Sequence, residues 1–335
     1  MAIVIDAMGS DTYPDPEIQA AVDAARIIKD EVILVGHEDL LKDKLAKINT
    51  DNQPVRIVHA PDVLEMHDKP VAAARKKPLN SMAVGMELVK TGEAQAFVTA
   101  GNTGGAMFNG LRTLGRIKGV QRPGLTTIFP VKTGFAVVLD IGANADCRPE
   151  FLQQFAIMGS VYAEKALGIP NPAVGLLSNG EEEGKGNQLT KDTYPLLQNC
   201  GINFAGNVEP KEFVAGKVAV LVTDGFSGNV LLKTSEAVAG LLLSILKESL
   251  MSSPITKLGA LLAKPAFKKV KQAMDPSDIG AAPLLGIDGL VFIGHGRSDA
   301  RALTSAVVRA HQAVQADLLE AIRIAIQTRL TETND

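Results

Sequence analysis

The chain has 335 residues, 46% of them hydrophobic but only 4% aromatic, with no tryptophan, and 34 basic against 37 acidic side chains leave a net charge of −3. That length holds one large or two modest domains. The charge balance excludes a globally basic nucleic-acid binder, and the scarcity of aromatic rings excludes base- and sugar-stacking surfaces.

Taken in chain order, Met1-Ala-Ile-Val-Ile-Asp6 predicts a buried strand ending in an acid, without the basic start and long apolar run of a signal peptide. Apolar or β-branched runs at 2–5, 32–35, 55–58, 96–99, 136–139, 174–177, 219–223 and 290–293 predict strands. Between them, helical spacing covers 17–29, 82–90, 105–115, 150–167, 189–199, 229–250 and 300–329. Strand–helix alternation implies right-handed crossovers and an α/β, doubly wound, mostly parallel sheet. A run at 126–130 returns to 136–139 through Lys132-Thr133-Gly134, which predicts a small antiparallel hairpin. Without repeats or linkers, residues 1–335 form a single domain around one sheet. Two cysteines, Cys147 and Cys200, build no disulfide framework, so a reducing cytoplasm is expected. The longest apolar run, 237–246, is interrupted by Ser244 and stopped by Lys247. It falls short of the roughly 18 residues that span a bilayer, so no crossing is expected.

In such sheets ligands bind outside the carboxyl ends of the strands. The residues there form a consistent set: Asp6 to Asp11 with Gly9, Gly101-Asn102-Thr103-Gly104-Gly105, Asp140 to Asp146 with Asn144, Ser178-Asn179-Gly180, Thr223-Asp224-Gly-Phe-Ser-Gly228-Asn229, and Gly294-His295-Gly-Arg-Ser-Asp299. Six ends that deliver small residues with Asn, Asp, Thr and Ser predict one polar crater for a phosphate or an oxyanion.

Standard phosphate motifs are absent. Gly180-Glu-Glu-Glu-Gly184-Lys185-Gly186 has three residues between its first glycines, and Gly186 stands where a P-loop needs Ser or Thr. The first strand opens on Gly9 alone, so it carries no dinucleotide fingerprint. The chain also lacks a Gly-x-Ser-x-Gly nucleophile elbow and any zinc-ligand spacing, and Asp6 with Asp11 makes a thin magnesium site; neither metal nor cofactor is expected. Three side chains stand out as reactive. Lys185, between glycines, can swing an ammonium onto phosphate or an oxyanion, although the glutamates before it make an ordinary solvated run. Lys233 lies one turn beyond Asn229, close to a helix N-terminus that attracts anions, although Asp224 or Ser227 there equally suits a plain N-cap. His295, between glycines, suits an acid, a base or a phosphate donor. Cys147 reads as an inert, buried thiol.

From 249 to 274 there is no acidic residue. Lys257, Lys264, Lys268, Lys269 and Lys271 accompany Ile255, Leu258, Leu261 and Leu262 on one helical face, and Pro265 is expected to break the helix. Such a basic amphipathic hairpin, inserted into the domain, suits a membrane surface or a partner, with a dimer interface as the alternative.

Together the strings at 6–11, 100–104, 139–150, 175–187, 203–209, 222–236 and 294–302 resemble the bacterial acyl-ACP:phosphate acyltransferase (PlsX) family of phospholipid synthesis, in the family's order. Departures fall at Ser10, Thr12 and Tyr13, and at Asn80-Ser81, where the family carries paired serines. The resemblance implies a three-layer α/β/α, Rossmann-like fold akin to isopropylmalate dehydrogenases and phosphotransacetylases. It also implies a cytoplasmic homodimer touching the membrane peripherally. The implied reaction converts acyl carrier protein thioester and inorganic phosphate to acyl phosphate, which a downstream acyl-phosphate:glycerol-3-phosphate acyltransferase consumes. Such chemistry needs no covalent nucleophile: phosphate attacks, thiolate leaves, and the protein positions the reactants and stabilises the oxyanion.

On this reading Lys185, Asn187 and Lys233 contact phosphate and oxyanion, Asn102, Thr103 and Asn229 are neutral donors, Asp224 and Asp6 orient them, and His295 protonates the leaving sulfur. Gly9, Gly104, Asn144, Asp146 and Gly228 complete the substrate site. Two alternatives are an acetyl- or butyryltransferase acting on acyl-CoA, and a non-catalytic membrane-surface scaffold for lipid enzymes.

Overall fold

A computed structural model describes residues 1–48, 52–273 and 280–331, without the side chains of 268–273 and 331. Eleven strands form one sheet in the order β3-β2-β1-β4-β11-β10-β5-β6-β9-β7-β8. The first half comprises β1 (Ala2–Asp6), β2 (Glu31–Gly36), β3 (Val55–His59), β4 (Ala96–Thr99) and β11 (Leu290–Ile293), all parallel. The second half comprises β6 (Gly134–Leu139), β7 (Val174–Leu177), β8 (Phe204–Val208) and β9 (Val220–Val222), again parallel among themselves. Between the halves lie β5 (Gly124–Val131) and β10 (Ala282–Leu285). The β11–β10, β10–β5 and β5–β6 pairings are all antiparallel. Three reversals leave the second half running opposite to the first.

Both faces are covered, and strand period 2 assigns each side chain its layer. In β1, Ile3 and Ile5 enter one core and Ala2 and Val4 another; in β6, Val137 and Leu139 enter the first while Ala136 and Val138 join a third. One face carries α1 (Asp15–Ile28), α6 (Pro149–Leu167), α7 (Gln188–Gln198), α11 (Ala300–Gln315) and α12 (Leu318–Thr331). The opposite face carries α3 (Pro70–Lys76), α4 (Ser81–Lys90) and α5 (Thr103–Thr113) over the first half. α8 (Pro210–Ala215) and the start of α9 (Gly225–Leu250) cover the second. The result is a three-layer α/β/α fold, and the predicted 126–139 hairpin is present with its turn at Lys132-Thr133.

Several expectations change. The sequence reading misses β8, β10, α2 (Glu38–Leu45), α3 and α8. The helix expected over 300–329 is two, because Asp317 adopts φ 50° and turns the chain. Pro265 lies inside α10 (Pro254–Ala273) instead of ending it. The helical hairpin is therefore α9 against α10, joined at 251–253, so that 249–274 is mostly its second arm. α9 is also long enough, and apolar enough on average, to cross a membrane. The strictly apolar run understates it because helical continuity adds turns on both sides. Within α9 only Gly225 and Gly228 are buried.

Candidate active site

The six polar strand ends come from two sets of strands of opposite direction. Those of β1, β4 and β11 lie at one edge of the sheet, and those of β6, β7 and β9 belong to strands running the other way.

At the first edge, Asp6 is buried and its carboxylate accepts from Thr99 Oγ1 at 2.7 Å and from the Met8 amide at 3.1 Å. Burial pushes its pKa up, against those hydrogen bonds. The turn at Gly9 packs directly on the next strand end: a Cβ there would lie 2.9 Å from the Gly101 nitrogen. Asn102 caps α5 by accepting from the Gly105 amide at 2.9 Å, and its amide nitrogen donates to the carbonyls of Met66 (2.9 Å) and Asp68 (3.2 Å). Its side chain is thus engaged in holding the 65–68 loop, which displaces the expected role of a free donor. Thr103 is exposed beside it, and Gly104 packs on Pro70. The β11 end joins through Asp11, whose amide donates to the Gly296 carbonyl at 2.7 Å.

At the second edge the organising group is Asp140, which sequence reasoning placed in a motif without a role. It is fully buried, and Oδ1 accepts from the amides of Leu125, Gly142 and Ala143 at 2.9–3.1 Å. Oδ2 accepts from the Asn144 amide at 2.7 Å and from Asn144 Nδ2 at 2.9 Å, while that Nδ2 also reaches the Pro123 carbonyl at 2.7 Å. Asn144 is therefore a structural clamp, and Asp146 is exposed beyond it. α9 begins on this platform. Asp224 is its N-cap, accepting from the Ser227 amide at 2.8 Å, as the plain-cap reading anticipates. The Gly225 amide donates to the Asn144 carbonyl at 2.8 Å, and Asn229 Nδ2 donates to the Ile141 carbonyl at 3.0 Å. A Cβ at Gly228 would stand 1.9 Å from the Asp140 carbonyl oxygen, so only glycine lets the helix dock. The glycine spacing 225/228 is the signal that marks this approach.

The Lys185 loop borders this edge. Asn187 caps α7, accepting from the Thr190 amide at 2.9 Å. Asn179 accepts from the Gly186 amide at 2.9 Å, and Asn207 donates to the Glu182 carbonyl at 2.8 Å. Asn179 and Asn207, whose roles the sequence did not reveal, thus fix the loop at both ends. Lys185 is exposed, and its ammonium has no partner among the described residues.

α9 links the two edges. Lys233, paired with Glu236 at 3.3 Å, lies two turns along the helix from Asp224. The charges of both residues reach His295 on the β11 end, and desolvation holds that imidazole below its ordinary pKa. A neutral imidazole has an N–H that can donate a hydrogen bond. Cys147 lies behind Asn144 with its thiol pushed up to about 12 by burial, as an inert thiol should be. Among the described residues no cluster of three or more His, Cys, Asp or Glu suits a metal. Ammoniums such as those of Lys185 and Lys233, beside a rigid backbone platform, are of the chemical type that can hold an anion or stabilise an oxyanion.

A family model described as "Fatty acid synthesis protein" matches residues 1–321. The chain belongs to that family. A phosphate acyltransferase of Elusimicrobium minutum is 47% identical over 324 residues, covering 96% of this chain and 95% of that protein. Another, of Pelotomaculum thermopropionicum, is 47% identical over 328 residues, with 98% and 96% covered. In fold the chain is similar to a phosphotransacetylase from Streptococcus pyogenes, with TM-score 0.60, 20% identity and 94% of each chain covered. The EutD phosphotransacetylase from Staphylococcus aureus gives TM-score 0.60 at 14% identity, again with 94% of each chain covered. Family membership makes the chain an acyltransferase of fatty acid and phospholipid synthesis.

Proposed function

We propose that the chain transfers a fatty acyl group from acyl carrier protein to inorganic phosphate, forming acyl phosphate and the free carrier thiol. Membership of a family whose relatives are phosphate acyltransferases at 47% identity carries this reading. The site chemistry supports it. Phosphate is already a nucleophile near neutral pH and thiolate leaves readily, so the protein has to hold the two reactants together, which is worth roughly 7–11 kcal/mol. Lys185 and Lys233 neutralise phosphate and the tetrahedral oxyanion; each such donor contributes about 3–4 kcal/mol. His295 donates an N–H from a neutral ring. Asn187, Asp224 and Asn229 set the loop and helix that carry these groups, while Asp6, Gly9, Thr103 and Gly104 shape the facing edge.

The hairpin of α9 and α10 contacts a membrane surface in this reading, and the enzyme acts there as a cytoplasmic, peripherally bound homodimer that hands acyl phosphate to a glycerol-3-phosphate acyltransferase. Support comes from exposure: Ile255, Leu258, Leu261 and Leu262 are 83%, 60%, 65% and 77% exposed, flanked by Lys257 and Lys264. Lys268 and Lys269 continue the helix, although their side chains lie outside the described residues. With its first turn docked on Asp140, α9 lies along the surface in this reading and does not cross. Comparing long-chain acyl-ACP with acyl-CoA of two to four carbons tests the donor. Higher kcat/KM for acyl-ACP is expected; preference for short acyl-CoA would make the chain a phosphate acetyl- or butyryltransferase.

A further inference from the structure

Beside the second edge lies a cavity of about 700 Å³ lined by Leu111, Pro123 and Phe151 on its apolar side, and by Arg116, Arg122 and Arg148. Three arginines and a single carboxylate, Asp146, are the charged residues of its lining. Arg116 is steered by a hydrogen bond to the Gln121 carbonyl, whereas Arg122 and Arg148 are exposed and have no partner among the described residues. The basic character extends along the chain, since 94–139 contains Arg112, Arg116, Lys118, Arg122 and Lys132 and no acid. None of these arginines has a place in the acyl-transfer site above.

We infer that this cavity holds the phosphate end of a phosphopantetheine arm, the group that carries the acyl thioester, an assignment that rests on the proposed reaction. Size and lining argue for it. A free phosphate needs a small fraction of about 700 Å³, and pockets of several hundred Å³ suit an extended organic ligand. Planar guanidiniums match phosphate oxygens in bidentate geometry. Leu111, Pro123 and Phe151 offer an apolar wall to the branched carbon skeleton of the arm. The far end points the right way: Cys147 lines the cavity and hydrogen-bonds the Asn144 carbonyl at 3.6 Å, and that same carbonyl receives the Gly225 amide at 2.8 Å. An arm anchored on the arginines therefore extends along the loop that carries the α9 platform, bringing its sulfur toward the acyl-transfer site.

Calorimetric titration of the full-length protein with 4′-phosphopantetheine, and with pantetheine lacking the phosphate, tests the assignment without any turnover. The phosphorylated arm should bind at least tenfold tighter. The paired substitution Arg122→Ala with Arg148→Ala should abolish that preference while leaving pantetheine affinity unchanged, and Arg122→Lys with Arg148→Lys should retain part of it. Both positions are exposed, and unchanged thermal melting would show that the fold is kept. If melting changes, Arg122→Glu alone serves as the second variant and should also lose the preference. In steady state the alanine pair should raise KM for acyl-ACP about tenfold with kcat retained. Equal affinity for the two arms, or a preference that survives in the alanine pair, overturns the inference. So does a rise in KM for acyl-ACP alone with the preference intact, which would assign the arginines to the carrier's acidic surface. Tight binding of adenosine 3′,5′-bisphosphate in place of the arm would assign them to a nucleotide and equally overturn it. Should the arm bind as expected while no acyl phosphate forms from any donor, the reaction fails and the binding site stands.

Discussion

A methyl group at Gly228 would lie 1.9 Å from the Asp140 carbonyl oxygen, and nothing but movement of α9 relieves that contact. Gly228→Ala should destabilise the protein by about 3 kcal/mol and remove most acyl transfer. Gly240→Ala, on the same helix with nothing within 4 Å, should be neutral or stabilising by up to about 1 kcal/mol. Thermal melting and turnover of the two variants check the contrast. A second residue carries a pH dependence. Glu17 is buried and accepts from the Ser10 amide at 2.9 Å, and burial raises its carboxyl from 4.5 to about 7. Between those values the folded state keeps a proton that the unfolded chain has lost. Stability therefore falls as pH rises through that window, by about 3 kcal/mol in all. Glu17→Gln keeps the acceptor and removes the titration, so denaturant unfolding should show a flatter profile between pH 5 and pH 7.5; an unchanged profile would refute the assignment. Neither residue's part was legible in the sequence. Glycine strings announce close approach without naming what approaches, and the five donors on Asp140 are four groups of residues 142–144 just after it and the Leu125 amide of β5, none of which a motif announces.

Elements were more legible where their pattern was strong. The strands at 96–99, 174–177 and 290–293 fall where apolar runs place them, and the hairpin of β5 and β6 follows from its short turn. β10 escaped because Pro283 interrupts Ala-Pro-Leu-Leu, and β8 because Gly206 and Asn207 dilute its alternation. Pro265 misled in the other direction: a helix tolerates a proline when neighbouring turns hold it, and α10 continues past it. Exposed apolar side chains on α9 and α10 are the clearest element-scale feature, with Leu241, Leu242, Leu258 and Leu262 each 60% exposed or more. Substituting Leu258→Glu with Leu262→Glu should abolish sedimentation with anionic phospholipid vesicles and leave solution turnover within about twofold, because neither side chain supports the core. Loss of turnover as well would place the hairpin in folding or dimer contact instead.

For the molecule as a whole, the sequence made the fold class and the family legible, and it concealed the arrangement of the site. Composition and alternation identify a parallel α/β sheet, but the direction of its halves depends on three antiparallel pairings: β5–β6 has a legible turn, β10–β11 is local but hidden by the proline of β10, and β10–β5 joins segments far apart in the chain. The six polar strand ends therefore divide between two edges, and α9 joins them by carrying Lys233 and Glu236 within electrostatic reach of His295. Lys185, exposed and unpaired on a loop pinned by Asn179 and Asn207, approaches from the second edge. Lys185→Ala should lower kcat about 100-fold or more while leaving thermal stability unchanged; near-full turnover would remove this lysine from the mechanism. The most direct measurement incubates the purified protein with long-chain acyl-ACP and inorganic phosphate, following acyl phosphate and released carrier thiol together. The two products should appear in equal amounts, only with phosphate present; thiol release independent of phosphate, or no acyl phosphate at all, would contradict the assignment.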